Sequence, residues 1–223
     1  MRAGEYLGAI DYPGRIAAAG YGKGGEIVLL YAITGRSTNS RNRVFRLENG
    51  VLRTEPYDPS KVEDPSLIIY NAMRSSGDTI VLTNGDQTDT IASFLDEGKS
   101  VEEALVTRTY EPDAPNFTPR ISITSSPSGY TLSIISKDGD GTERKLYSYG
   151  REDGVMHMIH TYMHDGSPLP SFEGLPARLE TLSSADELVA DAWNAMAPDR
   201  RISIYVRYGN EERIINGMEE ANG

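Results

Sequence analysis

The chain has 223 residues, of which 38% are hydrophobic and 25% are charged, and its formal net charge is -11. This composition predicts a folded protein with an adequate core, and the acidic balance argues against general affinity for nucleic acid or anionic membranes, because such affinity needs a basic surface. The chain has no cysteine, which excludes disulfides, thiolate metal sites and cysteine nucleophiles. It shows no apolar run long enough to cross a bilayer and no signal-peptide pattern, so we expect a cytoplasmic location.

The first half of the chain predicts strands followed by two helices. Asn49-Gly50 is a strong signal for a two-residue hairpin between two of these strands. Asp86 or Thr88 caps the first predicted helix, and Ser100 with Glu103 forms a capping box at the start of the second. The predicted strands are Arg15 to Ala19, Glu26 to Thr34, Val44 to Leu47, Val51 to Thr54, Leu67 to Met73 and Thr79 to Thr83.

The second half predicts more strands around one helix, which a second capping box, Ser184 with Glu187, opens. The predicted strands here are Arg120 to Thr124, Tyr130 to Ser136, Arg144 to Tyr149, Met156 to Tyr162, Arg201 to Arg207 and Arg213 to Asn216. Because strands and helices do not alternate, a doubly wound parallel sheet is not expected. The order favours an α+β protein in which two antiparallel sheets pack face to face with helices outside. We expect residues 1–223 to form a single domain.

Three patterns suggest chemistry but have simpler interpretations. Gly20 to Gly25 satisfies G-x-G-x-x-G, yet a strand rather than a helix follows it, so a hairpin loop is predicted. Asp138 to Gly141 lacks the remaining ligands of a calcium loop and is interpreted as a β-turn. His157, His160 and His164 share a face only on a helix; on a strand the first two point to opposite sides. Ordinary packing or polar contacts are therefore predicted for them, and no metal site.

A run of basic residues is harder to dismiss. Arg36, Arg41, Arg43 and Arg46 lie within eleven residues of an otherwise acidic chain, among several Ser, Thr and Asn residues. Small hydroxyl and amide side chains complement phosphate oxygens beside a bidentate arginine. A solvated loop is the alternative. The run follows a buried-looking strand directly, which favours a supported phosphate-binding loop.

Five short motifs together resemble the archaeal-type inosine monophosphate (IMP) cyclohydrolase family. They are DYPGR (Asp11 to Arg15), TGRSTNSRNR (Thr34 to Arg43), IIYNAMR (Ile68 to Arg74), VLTNGDQTD (Val81 to Asp89) and EPDAPNFTPRI (Glu111 to Ile121). The resemblance implies a four-layer αββα sandwich similar to N-terminal-nucleophile hydrolases. It also implies closure of the purine ring, in which the carboxamide nitrogen of 5-formamidoimidazole-4-carboxamide ribonucleotide attacks the formyl carbon and water leaves.

Ring closure asks for a base, for donors to the developing oxyanion and for a phosphate anchor. Mapped onto the matching motifs, the resemblance implies Tyr70, Asn71, Glu111 and Arg36 as catalytic candidates, with Glu111 as the acid/base. The implied substrate-binding candidates are Arg36, Ser37, Arg41, Asn84, Gly85, Asp86, Thr118 and Arg120. No cofactor and no metal are expected.

Two other functions stay open from the sequence. One is a purine-nucleotide-binding protein without catalysis, and the other is an amide hydrolase on the same fold. The second is disfavoured because no Ser, Thr or Cys stands at the start of the chain. The expected partner is a small purine ribonucleotide rather than nucleic acid or a membrane, and a homo-oligomer is left open.

Overall fold

The computed structural model describes residues 1–62 and 68–220. Within them the strands are β1 (Arg15–Tyr21), β2 (Ile27–Thr34), β3 (Val44–Glu48), β4 (Val51–Glu55), β5 (Tyr70–Ser76), β6 (Thr79–Thr83), β7 (Arg120–Ser126), β8 (Gly129–Asp138), β9 (Gly141–Gly150), β10 (Val155–His160), β11 (Ala177–Glu180), β12 (Arg201–Tyr208) and β13 (Glu211–Asn216). The helices are α1 (Ala3–Leu7), α2 (Thr38–Arg41), α3 (Gln87–Asp96), α4 (Val101–Val106), α5 (Ala185–Ala195) and α6 (Gly217–Glu220), with a 3₁₀ turn at Pro59–Lys61.

The strands form two antiparallel sheets. The first has the order β11-β10-β1-β2-β12-β13, and the second runs β3-β4-β5-β6-β7-β8-β9. Neighbouring strands pair antiparallel throughout, for example Ala17 with Tyr31 in the first sheet and Leu82 with Ile123 in the second. Because side chains alternate along a strand, each sheet can present one face to the other sheet and one face to a helix.

Three apolar clusters define four layers. The central cluster joins the inner faces of the two sheets and includes Tyr31 and Leu132. A second cluster packs α1 and α5 against the outer face of the first sheet, and a third packs α3 and α4 against the second sheet. The predicted α+β class with two mainly antiparallel sheets is confirmed. The likeness to N-terminal-nucleophile hydrolases stays a prediction.

Turn chemistry accounts for several connections. Asn49 and Gly50 both have positive φ, 52° and 76°, which is the conformation that a two-residue hairpin of type I′ requires. Gly20 to Gly25 spans the end of β1 and the β1–β2 turn, and Asp138 to Gly141 encloses the β8–β9 turn. Both are turns, as the sequence predicted.

The helix starts follow the predicted caps with two differences. Ser100 and Glu103 form the expected capping box of α4. Ser184 accepts from the backbone of Glu187, but the Glu187 carboxylate accepts from Ser183 instead of Ser184. Asp86 stands at the start of α3 without capping it. The sequence did not predict α1, α2, α6 or β11, because each is only four or five residues long and too short to show a period.

Two predicted segments lie partly outside the residues that the structure describes. The predicted strand Leu67 to Met73 begins at a residue outside them, and the structure has Tyr70–Ser76 as strand. The polar segment Tyr57 to Pro65, whose two prolines predict a loop, also lies partly outside them. Of the helices in residues 1–62 and 68–220, none has the length and apolar character to pass through a membrane.

The first two histidines lie on opposite faces of β10, as predicted for a strand. The ring of His157 lies between the sheets, where its Nδ1 is 2.7 Å from the hydroxyl of Tyr130. His160 faces outward, with Nε2 2.9 Å from the hydroxyl of Tyr6 in α1 and Nδ1 2.8 Å from the carbonyl of Tyr162. The carbonyl can only accept, so Nδ1 of His160 carries the proton and Nε2 accepts from Tyr6.

We expect His160 to make the fold sensitive to acid. Burial lowers the pKa of His160 from 6.5 to about 4. The unfolded chain therefore takes up a proton below pH 6.5 that the folded protein does not, and stability falls as the pH is lowered towards 4. At about 1.4 kcal/mol per unit of pKa shift, this one group accounts for about 3 kcal/mol of unfolding free energy.

Urea unfolding at pH 7 and pH 4.5 measures this effect. His160→Gln should lose less unfolding free energy over that interval than the unaltered protein. The control is His164→Gln, which changes an exposed histidine. An identical loss in all three proteins would mean that His160 does not control acid stability.

Candidate active site

A cleft of about 290 Å³ opens at one end of the sandwich. At this end β1, β3, β5 and β7 begin and β2, β4, β6 and β10 end. The cleft is lined by Tyr12 and Arg15, by Arg36, Ser37, Asn39, Ser40 and Arg43, by Ile68, by Glu111, Asp113, Asn116 and Thr118, and by Tyr162 and Leu169. Chain segments far apart in sequence therefore meet in one place.

Two arginines are buried in this cleft. Arg15 begins β1 and faces the space between the sheets, as Ala17 and Ala19 do. Arg43 precedes β3 and lies on the same side of the strand as the inward-facing Phe45. Their exposed fractions are only 9% and 6%. Nε of Arg15 and both Nε and Nη1 of Arg43 have no hydrogen-bond partner among the described residues. Buried guanidinium donors normally find acceptors, so these three nitrogens indicate a ligand.

The backbone before Arg15 allows the close packing of this region. Gly14 has a φ of +72°, and a Cβ atom there would stand 2.2 Å from Oγ1 of Thr161. The same Thr161 hydroxyl accepts from the backbone N–H of Arg15 at 3.1 Å. A side chain at position 14 would force the start of β1 away from β10.

Glu111 is the buried carboxylate of the cleft. It is 3% exposed, and its Oε2 is 3.8 Å from Nη2 of Arg15 without a hydrogen bond from any described residue. Burial raises the pKa of Glu111 above its usual value, and the nearby Arg15 and Arg120 only partly oppose this shift. Glu111 is therefore a carboxyl group that can exchange a proton closer to neutral pH than an ordinary glutamate does.

A folded loop supports Glu111. Its backbone N–H donates to the carbonyl of Thr118 at 2.9 Å. Asp113 accepts from both the backbone N–H and the hydroxyl of Thr118, and that hydroxyl also contacts the hydroxyl of Tyr162. The carboxylate of Asp113 is thereby committed to the loop, whereas Oε2 of Glu111 is free to meet a ligand.

The charges of Arg15, Arg43 and Glu111 do not balance. Two buried guanidinium groups face one carboxylate, whose raised pKa favours its neutral form. Burying a charge without compensation costs several kcal/mol. The floor of the cleft, which we define as Arg15, Arg43 and Glu111, is therefore suited to an anionic group or to negative charge that develops during a reaction.

Two tyrosines lie next to this floor between the sheets. The hydroxyl of Tyr31 is 2.8 Å from that of Tyr70. Arg15 and Arg43 both act electrostatically on Tyr31, and burial raises the pKa of Tyr31 well above its usual value. Tyr31 thus stays protonated and hydrogen-bonded to Tyr70 beside two cations.

The rim of the cleft has a different character. Arg36 lies over the ring of Tyr12, with Cζ 5.1 Å from the ring centroid, and bonds Asp165 and the carbonyl of Gly166. Ser37 caps α2 by accepting from Ser40 at 3.1 Å. The side chain of Arg36 is 39% exposed, so a ligand can exchange with its present partners at small cost.

The structure brings several sequence-predicted residues together. Arg36, Ser37, Glu111 and Thr118 line the cleft, and Tyr70 lies beside its buried arginines. Tyr70 and Glu111 come from different parts of the chain, and the fold brings both to the region of the buried arginines.

Two others point elsewhere. Asn71 faces the opposite side of its strand from Tyr70, and its amide donates to both carboxylate oxygens of Asp89 in α3 at 3.0 Å. Arg41 donates to the carbonyl of Asp199 and lines a separate cavity with Trp193.

Four more predicted residues form a support behind Glu111. Asn84 accepts from the backbone N–H of Ile121 at 2.8 Å, and Nη1 of Arg120 donates to Asp86 at 2.8 Å and to Gln87 at 2.7 Å. A Cβ atom on Gly85 would stand 2.6 Å from Nη1 of Arg120 and 3.6 Å from Oε1 of Glu111. In this arrangement Asn84, Gly85, Asp86 and Arg120 hold the strand ends under the cleft and do not line it.

Sequence reasoning did not select five residues of this region as individual site candidates, although Arg43 belonged to the predicted basic run. Arg15, Tyr31, Arg43, Tyr12 and Tyr162 lie in or beside the cleft. Arg15, Tyr31 and Arg43 could have been found from the alternation of side chains along a strand, because each lies on the inward face of a strand together with apolar neighbours. No comparable signal marks Tyr12 and Tyr162, which lie outside the strands.

Comparisons with known proteins agree with one another. A family model described as IMP cyclohydrolase-like protein matches residues 12–213. The chain is 31% identical over 180 residues to the IMP cyclohydrolase of Methanopyrus kandleri, which covers 73% of this chain and 89% of that protein. It is 32% identical over 170 residues to the IMP cyclohydrolase of Methanothrix thermoacetophila, covering 74% and 81%. It is 33% identical over 161 residues to the IMP cyclohydrolase of Methanosphaera stadtmanae, and this alignment covers 69% of this chain and 75% of that protein. All the residues that line the cleft fall within the matched range.

Proposed function

Because the chain belongs to the IMP cyclohydrolase-like family, we propose that it is an IMP cyclohydrolase, an enzyme of purine biosynthesis that closes the ring of 5-formamidoimidazole-4-carboxamide ribonucleotide. The observation that supports catalysis most directly is the floor of the cleft. It offers three guanidinium nitrogens and one carboxylate oxygen that have no hydrogen-bond partner in residues 1–62 and 68–220.

The reaction moves two protons and one oxygen. The carboxamide nitrogen attacks the formyl carbon and loses one proton, while the formyl oxygen gains negative charge and is protonated to a hydroxyl. The formamide nitrogen then loses its proton, the carbon–oxygen bond breaks, and the hydroxyl leaves as water once it is protonated. No redox change occurs, and both hydrogens of the water come from the two nitrogens.

Glu111 carries the proton transfers in this proposal. A carboxamide nitrogen is a poor nucleophile, so its proton must be removed as the bond forms. In the first step Oε2 of Glu111 accepts this proton and gives it to the formyl oxygen, which becomes the hydroxyl. In the second step Glu111 takes the proton of the formamide nitrogen and gives it to the departing hydroxyl, and its raised pKa suits it to both transfers. A site that only bound an anionic nucleotide would gain nothing from a buried carboxylate. This argues against the non-catalytic alternative.

Arg15 and Arg43 stabilise the developing oxyanion, assisted by the hydroxyl of Tyr70. Donors that are fixed and desolvated before the reaction do not have to reorganise as the charge appears, which makes such stabilisation large. Both arginines meet this condition, since they are buried and held between the sheets.

We assign the 5′-phosphate to the rim, at Arg36 and Ser37. Arg36 is accessible, and its guanidinium can offer two parallel N–H groups to a phosphate. The phosphate and the reacting groups thereby have different partners in one cleft. The proposal includes a single catalytic domain, a cytoplasmic location and no nucleic-acid partner, in keeping with the net charge of -11. The oligomeric state is not part of it.

The deciding experiment is a spectrophotometric assay of ring closure with purified protein and the formamido ribonucleotide. Turnover without hydrolysis of unrelated amides supports the proposal. Binding of IMP without any turnover would instead establish the non-catalytic alternative.

A substitution at the rim tests the phosphate assignment. Arg36→Ala should weaken IMP binding by about 1.5 to 3 kcal/mol, the usual range for a hydrogen bond to a charged group. Binding of inosine, which lacks the phosphate, should change much less. Isothermal titration calorimetry with both ligands measures the difference, and Arg46→Ala is the control because Arg46 belongs to the same run but pairs with Glu219. Equal losses for both ligands would place the phosphate elsewhere.

A further inference from the structure

Tyr31 lies outside the cleft yet contacts a proposed catalytic group. It is fully buried in β2, and its hydroxyl bonds that of Tyr70, which retains 7% exposure. The ring of Tyr31 also packs against Phe45 of the other sheet, with centroids 5.4 Å apart. Packing from both sheets therefore fixes the position of the Tyr31 hydroxyl.

The direction of this hydrogen bond follows from the surroundings. Either hydroxyl could donate by geometry, but the neighbouring Arg15 and Arg43 carry donors only. If Tyr70 donated to Tyr31, the proton of the fully buried Tyr31 would have no acceptor among the described residues. An unsatisfied buried donor is costly. Tyr31 therefore donates to Tyr70, which leaves the proton of Tyr70 available to a ligand.

We propose that Tyr31 is a positioning residue that turns the hydroxyl proton of Tyr70 towards the formyl oxygen of the substrate. This role rests on the proposed function, since it needs Tyr70 to act on the reacting group.

A double-mutant cycle tests the role. Tyr70→Phe should lower turnover on the order of 100-fold, as for the loss of one oxyanion donor. Tyr31→Phe should lower it about 10-fold, with KM changed less than twofold, because a misdirected hydroxyl remains in place. The double variant should be no slower than Tyr70→Phe alone, since Tyr31 acts only through Tyr70.

Tyr21→Phe is the matched control. Tyr21 is also fully buried between the sheets, but its hydroxyl donates to the carbonyl of Ser126 at 2.6 Å. This variant should keep normal turnover. In the double variant with Tyr70→Phe, the fold-losses in turnover of the two single variants should multiply, as expected for independent residues. All assays are run at a temperature at which thermal melts show every variant folded.

Three results would overturn the proposal and can be told apart. Multiplicative losses for Tyr31→Phe and Tyr70→Phe would show that Tyr31 acts by general stabilisation. Normal turnover of Tyr70→Phe would remove Tyr70 from the reaction while leaving the proposed function intact. An inactive unaltered protein would remove the proposed function itself.

Discussion

Replacing Glu111 by glutamine should lower the turnover of ring closure by about 100- to 10,000-fold, the usual contribution of a positioned acid or base. Glutamine keeps the size and one carbonyl oxygen of the side chain but cannot accept and return a proton. Binding of IMP should change little, because the product requires no proton transfer. Stopped assays of turnover together with calorimetry of IMP binding separate the two quantities.

The pH dependence identifies the group more specifically. Because burial raises the pKa of Glu111, its deprotonated form is lost at a higher pH than for an ordinary glutamate. As the pH falls, kcat/KM should therefore decrease with a midpoint above 4.5, the usual value. The residual activity of Glu111→Gln should lack this acid limb.

Glu102→Gln is the control, since Glu102 is an exposed glutamate on α4. It should keep the rate and the pH profile of the unaltered protein. A Glu111→Gln variant with normal turnover would exclude Glu111 as the base and would leave Oε2 of Glu111 without a function.

Arg43→Met should move stability and activity in opposite directions. Methionine fills a similar elongated space without a charge, and two buried nitrogens of the guanidinium that it replaces have no hydrogen-bond partner in the part of the chain that the structure describes. Removing an uncompensated buried charge relieves a cost of several kcal/mol, so the melting temperature should not fall and is expected to rise. Turnover should decrease by about 100- to 1,000-fold, the typical loss for an oxyanion donor.

Thermal melts and initial rates of the same preparations measure both effects. Arg46→Met is the comparison, because the side chain of Arg46 is 42% exposed and ion-paired with Glu219. It should change neither quantity by much. A variant Arg43→Met that melts lower and keeps its turnover would mean that Arg43 serves the fold, and the anion-binding floor would then reduce to Arg15.

The sequence predicted the layers of this fold better than the details of its site. Period-two patterns and turn signals such as Asn49-Gly50 depend on neighbouring residues, so they can be recognised locally. The run from Arg36 to Arg46 was recognised as a basic segment, but its members could not be ranked. The alternation of side chains along a strand selects Arg43 from this run. Because β3 begins at Val44, Arg43 lies on the same inward side as Phe45.

The same alternation separates Tyr70 from Asn71. Successive residues of a strand face opposite sides, so these two could not both enter the space between the sheets. The environment of Glu111 could not be predicted in this way. It depends on a loop that hydrogen bonds between Thr118 and Asp113 hold in shape. It also depends on the contact of Thr118 with Tyr162, which comes from a distant part of the chain.

The floor of the cleft links ligand binding to folding cooperativity. Arg15 belongs to the first sheet, Arg43 leads directly into the second, and Glu111 reaches them from a loop between helix and strand. A ligand that contacts all three can be held only when the two sheets are packed together. Its binding free energy therefore opposes global unfolding, by RT ln(1 + [L]/Kd), and no form with separated sheets retains the site. A ligand present well above its Kd should therefore also protect the folded chain against proteolysis.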